Sequence, residues 1–175
     1  MLILHSCIFF TLSLLLKMDK MTNHKIVAIA SKGGHWMQLQ RISSQFQQYY
    51  NIVYISTVDY SATLPADANF NVINDFSRWN LWKVLPTFWQ IWKIIRRERP
   101  KAIITTGAAP GLVAILIGRL YRMRTIWIDS IANAAELSGS GKIARKIAHH
   151  VFTQWSHLAD QRVEYHGNAL GLKEK

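Results

Sequence analysis

The 175-residue chain has a single cysteine, Cys7. An internal disulfide and a cysteine-based zinc cluster are excluded. A reducing compartment is the default expectation. Acidic residues are also scarce. Ten Asp and Glu stand against 21 Lys and Arg, a formal net charge of +11. That excess implies an acidic partner: nucleic acid, an anionic membrane surface or a phosphorylated substrate. No helix-turn-helix or RNP signature is present, and the aromatics share faces with aliphatic residues, so no nucleic acid partner is expected. No internal repeat and no low-complexity linker interrupts the chain, whose length suits one domain with a sizeable core.

A long membrane-spanning run is missing as well. Residues 2–16, LILHSCIFFTLSLLL, are apolar but broken by His5, Ser6 and Cys7. As a helix they cover roughly 22 Å, short of the ~30 Å hydrocarbon core. They lack a basic n-region and a small-residue cleavage site, which makes them a poor signal peptide. Met18 and Met21 follow directly. Three readings stay open: a short membrane anchor, an interfacial segment, or a stretch upstream of the true start codon. Residues 1–22 are therefore set apart, and the folded domain is expected over residues 23–175.

What is there alternates between strands and helices. Short apolar strands are predicted at Lys25–Ala30, Asn51–Ser56, Phe70–Ile73, Lys101–Thr105, Thr125–Asp129 and Val151–Thr153. Helices are predicted at Trp36–Gln47, 80–97, Leu112–Tyr121 and 139–149. Residues 107–111 read as a tight turn. This order argues an α/β fold with a Rossmann-like parallel sheet, its strands buried on both faces.

Ligands of such sheets gather outside the carboxyl ends of the strands. Three loops fall there. Ser31-Lys32-Gly33-Gly34-His35 leads from a strand into a helix, where bare backbone and free N–H groups suit an anion; it is equally a plain tight turn. It lacks the third glycine of G-x-G-x-x-G, so a dinucleotide is disfavoured and no cofactor is expected. Thr105-Thr106-Gly107-Ala108-Ala109-Pro110-Gly111 is built of small residues, for close approach of a ligand or of a helix. Asp129-Ser130 ends a strand, and the carboxylate suits a general base, a hydroxyl holder or a helix cap. Leu137–Lys142 resembles a phosphate loop but misses its spacing, and reads as a loop capping a basic helix. No metal site is expected.

Residues 79–99 hold four of the seven tryptophans. Leu81, Leu85, Phe88, Trp92 and Ile95 recur at helical spacing. Trp82 and Trp89 flank that stripe and widen the apolar sector, and Lys83, Lys93, Arg96, Arg97 and Arg99 add charge. Membrane contact is expected of Trp79, Trp82, Trp89, Trp92, Lys93, Arg96 and Arg97. Tryptophan with basic residues suits a membrane interface; a core helix is the alternative. Pro86 is expected to kink this helix or to begin its main segment.

Four stretches, ASKGGHWMQLQRI, RRERPKAIITTGAAPG, TIWIDSIANAAELSGSGKIARKIAHHVFTQW and YHG, run in order from about residue 25 to 167. On them the chain resembles the PssD-type polysaccharide biosynthesis proteins. Those are bacterial relatives of the membrane-anchoring subunit of the eukaryotic two-subunit N-acetylglucosaminyltransferase. The chain is also similar to the N-terminal half of MurG-like GT-B glycosyltransferases. The resemblance implies the acceptor half of a split enzyme, inactive without its partner. A PssE-type catalytic subunit would carry the UDP-sugar site. The acceptor would be a polyprenyl-diphosphate-linked sugar of exopolysaccharide or capsule synthesis, at the cytoplasmic face of the plasma membrane. The resemblance further implies that Ser31, Lys32, Gly33, Gly34, Thr106, Gly107, Gly111 and Ser130 line the acceptor site. His35 or Asp129 would deprotonate the acceptor hydroxyl, and spacing does not choose between them. Relatives often carry Glu-Ser at 129–130 and a small residue at Lys32.

Overall fold

A computed structural model describes residues 24–75 and 84–169. The strands are β1 (Lys25–Ala30), β2 (Asn51–Ser56), β3 (Asn69–Val72), β4 (Ala102–Thr105), β5 (Arg124–Ile128), β6 (His150–Thr153) and β7 (Glu164–Tyr165). The helices are α1 (Gly34–Ser43), α2 (Val84–Glu98), α3 (Ala108–Leu120) and α4 (Gly139–Ile147). Within the described residues the strands form one sheet in the order β3-β2-β1-β4-β5-β6-β7. Every pairing in it is parallel. This is the α/β Rossmann-like sheet that the strand–helix alternation predicts.

The burial pattern explains the architecture. In β1, β2 and β5 the first residue is partly or fully exposed and every later one is buried; β4 is buried throughout. Strands without a polar face must be covered on both sides. One face receives α1 through Trp36, Leu39 and Ile42, with Phe46 of the turn that follows, packed on Ala28, Ile104 and Ile126. The other receives α2 and α3 through Ile91, Ile95, Ala114 and Ile117, packed on Val27, Ile55 and Ile103. Ala144 of α4 joins Ile115, Trp127 and Val151 on that second side. Each buried Leu or Ile contributes ~1.5–3 kcal/mol relative to exposure, so the two apolar layers hold the sheet between them.

Several element ends differ from the sequence expectation. Helix α1 stops at Ser43, and a turn of tighter bonds, such as Phe46 N–H to Ser43 O at 2.9 Å, carries the chain on. Residues 107–111 are not a free turn: only Gly107 lies outside α3, which opens at Ala108 with Pro110 in its first turn. Proline fits there because a first-turn N–H has no helical acceptor. Pro86 stands near the start of the described part of α2, Val84–Glu98. The two-residue β7 carries too little pattern to be read from sequence. Trp79, Leu81 and Trp82, and the apolar stretch 1–22, lie outside the described residues.

Candidate functional site

Strand order reverses between β1 and β4. From β1 the chain builds outward to β2 and β3, and from β4 outward the other way. The loops after β1 and β4 therefore part above this point and leave a crevice at the carboxyl ends. The glycine loop and the Thr106–Gly107 turn sit on its two sides.

His35 joins them. Its Nδ1 lies 2.7 Å from the Thr106 carbonyl oxygen. A carbonyl only accepts, so Nδ1 carries the proton and Nε2 is left as a lone-pair acceptor. In return the Thr106 hydroxyl donates to the His35 carbonyl at 2.6 Å. The ring lies over Gly107. A Cβ there would stand 2.9 Å from His35 Cε1 and 3.0 Å from Nδ1. Gly107 also has φ +117, and Ala108 beside it φ +65. Two successive residues in this region concentrate backbone strain at the crevice, about 1–3 kcal/mol for the non-glycine one.

The glycine loop is strapped from its other side. Lys32 N–H donates to Thr57 Oγ1 and Gly33 N–H to the Tyr60 hydroxyl, both at 3.1 Å. Tyr60 stacks on buried Trp36 with 4.9 Å between ring centroids. Lys32 Nζ reaches Asp75 at 3.2 Å, an exposed pair. Gly33 takes φ +75, and nothing lies within 4 Å of a Cβ built on Gly34. No side chain caps the N-terminus of α1, and an uncapped helix N-terminus favours an anion. Ser31 is half-buried at the end of β1. Gly111 has a packing reason: a Cβ would run into the Thr105 side chain, so the glycine lets α3 close on β4.

Asp129 is 2% exposed. Its Oδ1 accepts from Trp127 Nε1 at 3.1 Å and from the Ser138 hydroxyl at 2.6 Å. Its Oδ2 accepts from Ser138 N–H at 2.8 Å and Asn133 Nδ2 at 3.3 Å. Four donors fill the four lone-pair sites of a carboxylate. Ser138 is also the N-cap of α4, its Oγ accepting from Gly141 N–H at 2.8 Å. Asp129 is thereby an organiser of the loop between β5 and α4. Sequence reading missed this shell. It also missed Gln38 and Gln154, which bind Ser130 and the Asp129 backbone. One signal was available for Gln38: a polar residue inside the buried stripe of α1, three positions after His35.

The aromatic helix behaves differently from the crevice. Leu85 and Trp89 on α2 are 69% and 54% exposed, and Leu116, Leu120 and Tyr121 at the neighbouring α3 are exposed too. Trp92 Nε1 donates to the Tyr121 hydroxyl at 2.8 Å, and Arg96 lies 5.1 Å over the Trp92 ring. Lys93 and Arg96 are exposed. Arg97 instead bonds Glu98 and Asn71 at the β3 edge. Among the described residues no helix is long and apolar enough to cross a membrane.

Solved structures with this fold include the MurG of Acinetobacter baumannii, with a TM-score of 0.70, 14% identity, and coverage of 83% of this chain and 46% of that one. The UDP-GlcNAc 2-epimerase of Methanocaldococcus jannaschii has a TM-score of 0.61, 13% identity, and coverage of 82% and 45%. The chain thus spans less than half of either solved protein. A curated relative is the UDP-N-acetylglucosamine transferase subunit ALG14 of Yarrowia lipolytica, 25% identical over 177 residues, covering 85% of this chain and 82% of that protein. The family model described as "Oligosaccharide biosynthesis protein Alg14 like" matches residues 72–169, which takes in the Thr106–Gly107 turn, Asp129–Ser130 and α2 to β7. On that match the chain belongs to the Alg14-like family of oligosaccharide biosynthesis proteins.

Proposed function

We propose that this chain is the acceptor-binding, membrane-associating subunit of a two-part UDP-glycosyltransferase, of the PssD type. Its partner, a PssE-type subunit, brings the UDP-sugar. The acceptor is a sugar on a polyprenyl diphosphate, at the cytoplasmic face of the plasma membrane, in exopolysaccharide or capsule assembly. The observation that carries this reading is the His35–Thr106 clasp at the strand-order reversal. It fixes one imidazole tautomer and presents Nε2 as a base beside the open N-terminus of α1.

The reaction follows from those parts. The helix N-terminus and Lys32 hold the diphosphate. The acceptor hydroxyl gives its proton to His35 Nε2 as its oxygen bonds the anomeric carbon, and the sugar–UDP bond breaks. UDP leaves on the partner's side, where its charge is stabilised. Lipid and diphosphate together call for an interfacial surface, and Leu85, Trp89, Trp92, Lys93 and Arg96 supply one. Membrane contact by Trp79, Trp82 and Arg97 belongs to the same proposal, with Arg97 partly tied to Glu98.

The test is reconstitution. Mixed with its partner, UDP-sugar and polyprenyl-diphosphate sugar, the chain supports transfer; alone it does not. Full transfer by the purified single chain overturns the split-enzyme reading. A second reading, a non-catalytic scaffold that recruits the partner to the membrane, is favoured by the saturation of Asp129. An active complex carrying His35→Ala decides for the scaffold.

A further inference from the structure

The geometry points to Ser130 as a fixed hydrogen-bond donor to an oxygen of the acceptor, with Gln38 the positioning residue that sets its polarity. This rests on the acceptor-site reading above.

The argument begins at Gln154, which is 2% exposed at the end of β6. Its Nε2 donates to Gln38 Oε1 at 2.6 Å and to the Asp129 carbonyl at 2.9 Å. Its Oε1 accepts from Ala169 N–H at 2.9 Å. Those partners leave the Gln154 amide one orientation. Gln38, 7% exposed on α1, follows from it. Its Oε1 faces two donors, Gln154 Nε2 and Ile131 N–H at 3.2 Å. Its Nε2 must therefore be the end that meets Ser130 Oγ, at 3.1 Å.

Ser130 Oγ also accepts from Ala132 N–H at 3.3 Å. A hydroxyl oxygen has two lone pairs, and both are now occupied. What remains is its proton. The neighbouring carboxylate does not take it, because Asp129 is filled by Trp127, Asn133 and Ser138. A hydroxyl prepared as a donor at the carboxyl end of β5 fits a ligand oxygen, either phosphoryl or sugar. It complements His35 Nε2, the lone-pair acceptor presented one turn earlier on α1.

The substitution Gln38→Glu tests this without removing bulk. The ionised carboxylate it introduces still accepts from Gln154 and Ile131, but it accepts from the Ser130 hydroxyl as well and withdraws the proton from the ligand. Protonation of that carboxyl restores a donor toward Ser130 and reverses the effect. The titratable groups beside this position are Asp129, which adjoins Ser130, and His35, one turn away on α1.

Binding of polyprenyl diphosphate, with and without its sugar, is measured on the full chain in detergent, with thermal melting as the fold check. Ser130→Ala weakens binding roughly tenfold, the loss of one ligand hydrogen bond. Gln38→Glu matches it at high pH, recovers as pH falls, and adds nothing on the Ser130→Ala background. Loss for both ligands assigns the phosphoryl oxygen; loss only with the sugar present assigns a sugar oxygen. Wild-type affinity in Ser130→Ala overturns the inference alone. So does an additive, pH-independent Gln38→Glu loss, the result of a merely structural amide. Should Gln38→Glu not fold, Ser130→Ala decides. Failure of the wild-type chain to bind either ligand overturns the acceptor-site reading and this inference together.

Discussion

The crevice at the carboxyl ends of β1, β4 and β5 and the outer surface of α2 and α3 solve opposite problems. In the crevice, polar side chains are wholly or partly buried and bonded across segments far apart in sequence, as His35 is to the Thr106 carbonyl and Gln38 to the Ser130 hydroxyl. On the helix surface, Leu85, Trp89, Leu116 and Leu120 face outward beside Lys93 and Arg96. A buried network fixes single atoms to within tenths of an ångström, which proton transfer requires. An apolar, basic surface fixes no atom and tolerates a fluid partner. Substitutions in the crevice should therefore act on chemistry or folding, and those on the helices on partitioning alone.

The largest effect expected is His35→Ala. Removing the proposed base lowers transfer by the reconstituted complex by about 10²–10⁴-fold; stability falls far less, by about 1–3 kcal/mol, because the Thr106 carbonyl loses its donor. Asp129→Asn comes next and acts on stability. An amide turned toward four donors leaves at least one N–H facing another, a cost of about 2–3 kcal/mol, read as a lower urea midpoint at unchanged slope. An Asp129→Asn chain of full stability and no activity would return that carboxylate to the chemistry and break the division drawn here.

On the helix surface, Lys93→Gln with Arg96→Gln should lower partitioning onto anionic vesicles by about tenfold or more, since each cation near such a surface contributes ~1 kcal/mol. Stability should stay within ~0.5 kcal/mol. Equal binding to neutral and anionic vesicles would remove the charge argument. Leu85→Ser with Trp89→Ser should weaken both kinds of vesicle binding.

The smallest effect concerns pH. His149 lies at the amino end of the sheet, with Thr125 and Arg119 as neighbours. Burial first, then electrostatic repulsion from Arg119 and its other neighbours, holds its pKa below the usual histidine value. The unfolded chain takes up this proton near pH 6.5, before the folded one does. The stability tied to neutral His149 is present above that pH and is lost as pH falls through the folded pKa. Urea melts between pH 8 and 5 should show a small decline that His149→Gln flattens.

Much of the fold was legible. Short, β-rich apolar runs such as KIVAIA and NIVYIS fit strands buried on both faces, and both matched to the residue. Helix ends drifted where a cap has no side-chain signal, as at Gly107 and Gly33. His35, Gly107 and Asp129 were legible as candidates because glycine turns and strand-end carboxylates are local patterns. Their roles were not, because a role depends on partners 71 residues away for His35 and nine for Asp129.

Ser31-Lys32-Gly33-Gly34-His35 marks the boundary between the two kinds of knowledge. Composition and periodicity determined the class of fold, the basic charge, the amphipathic α2 and the position of each loop at a strand end. They did so because propensity and hydrophobic pattern act over a few residues. The tertiary structure alone decided which nitrogen of His35 carries the proton, that four donors saturate Asp129, and which of the aromatics on α2 remain outside. Those outcomes depend on lone pairs and surfaces brought together by long-range packing, which no local pattern records.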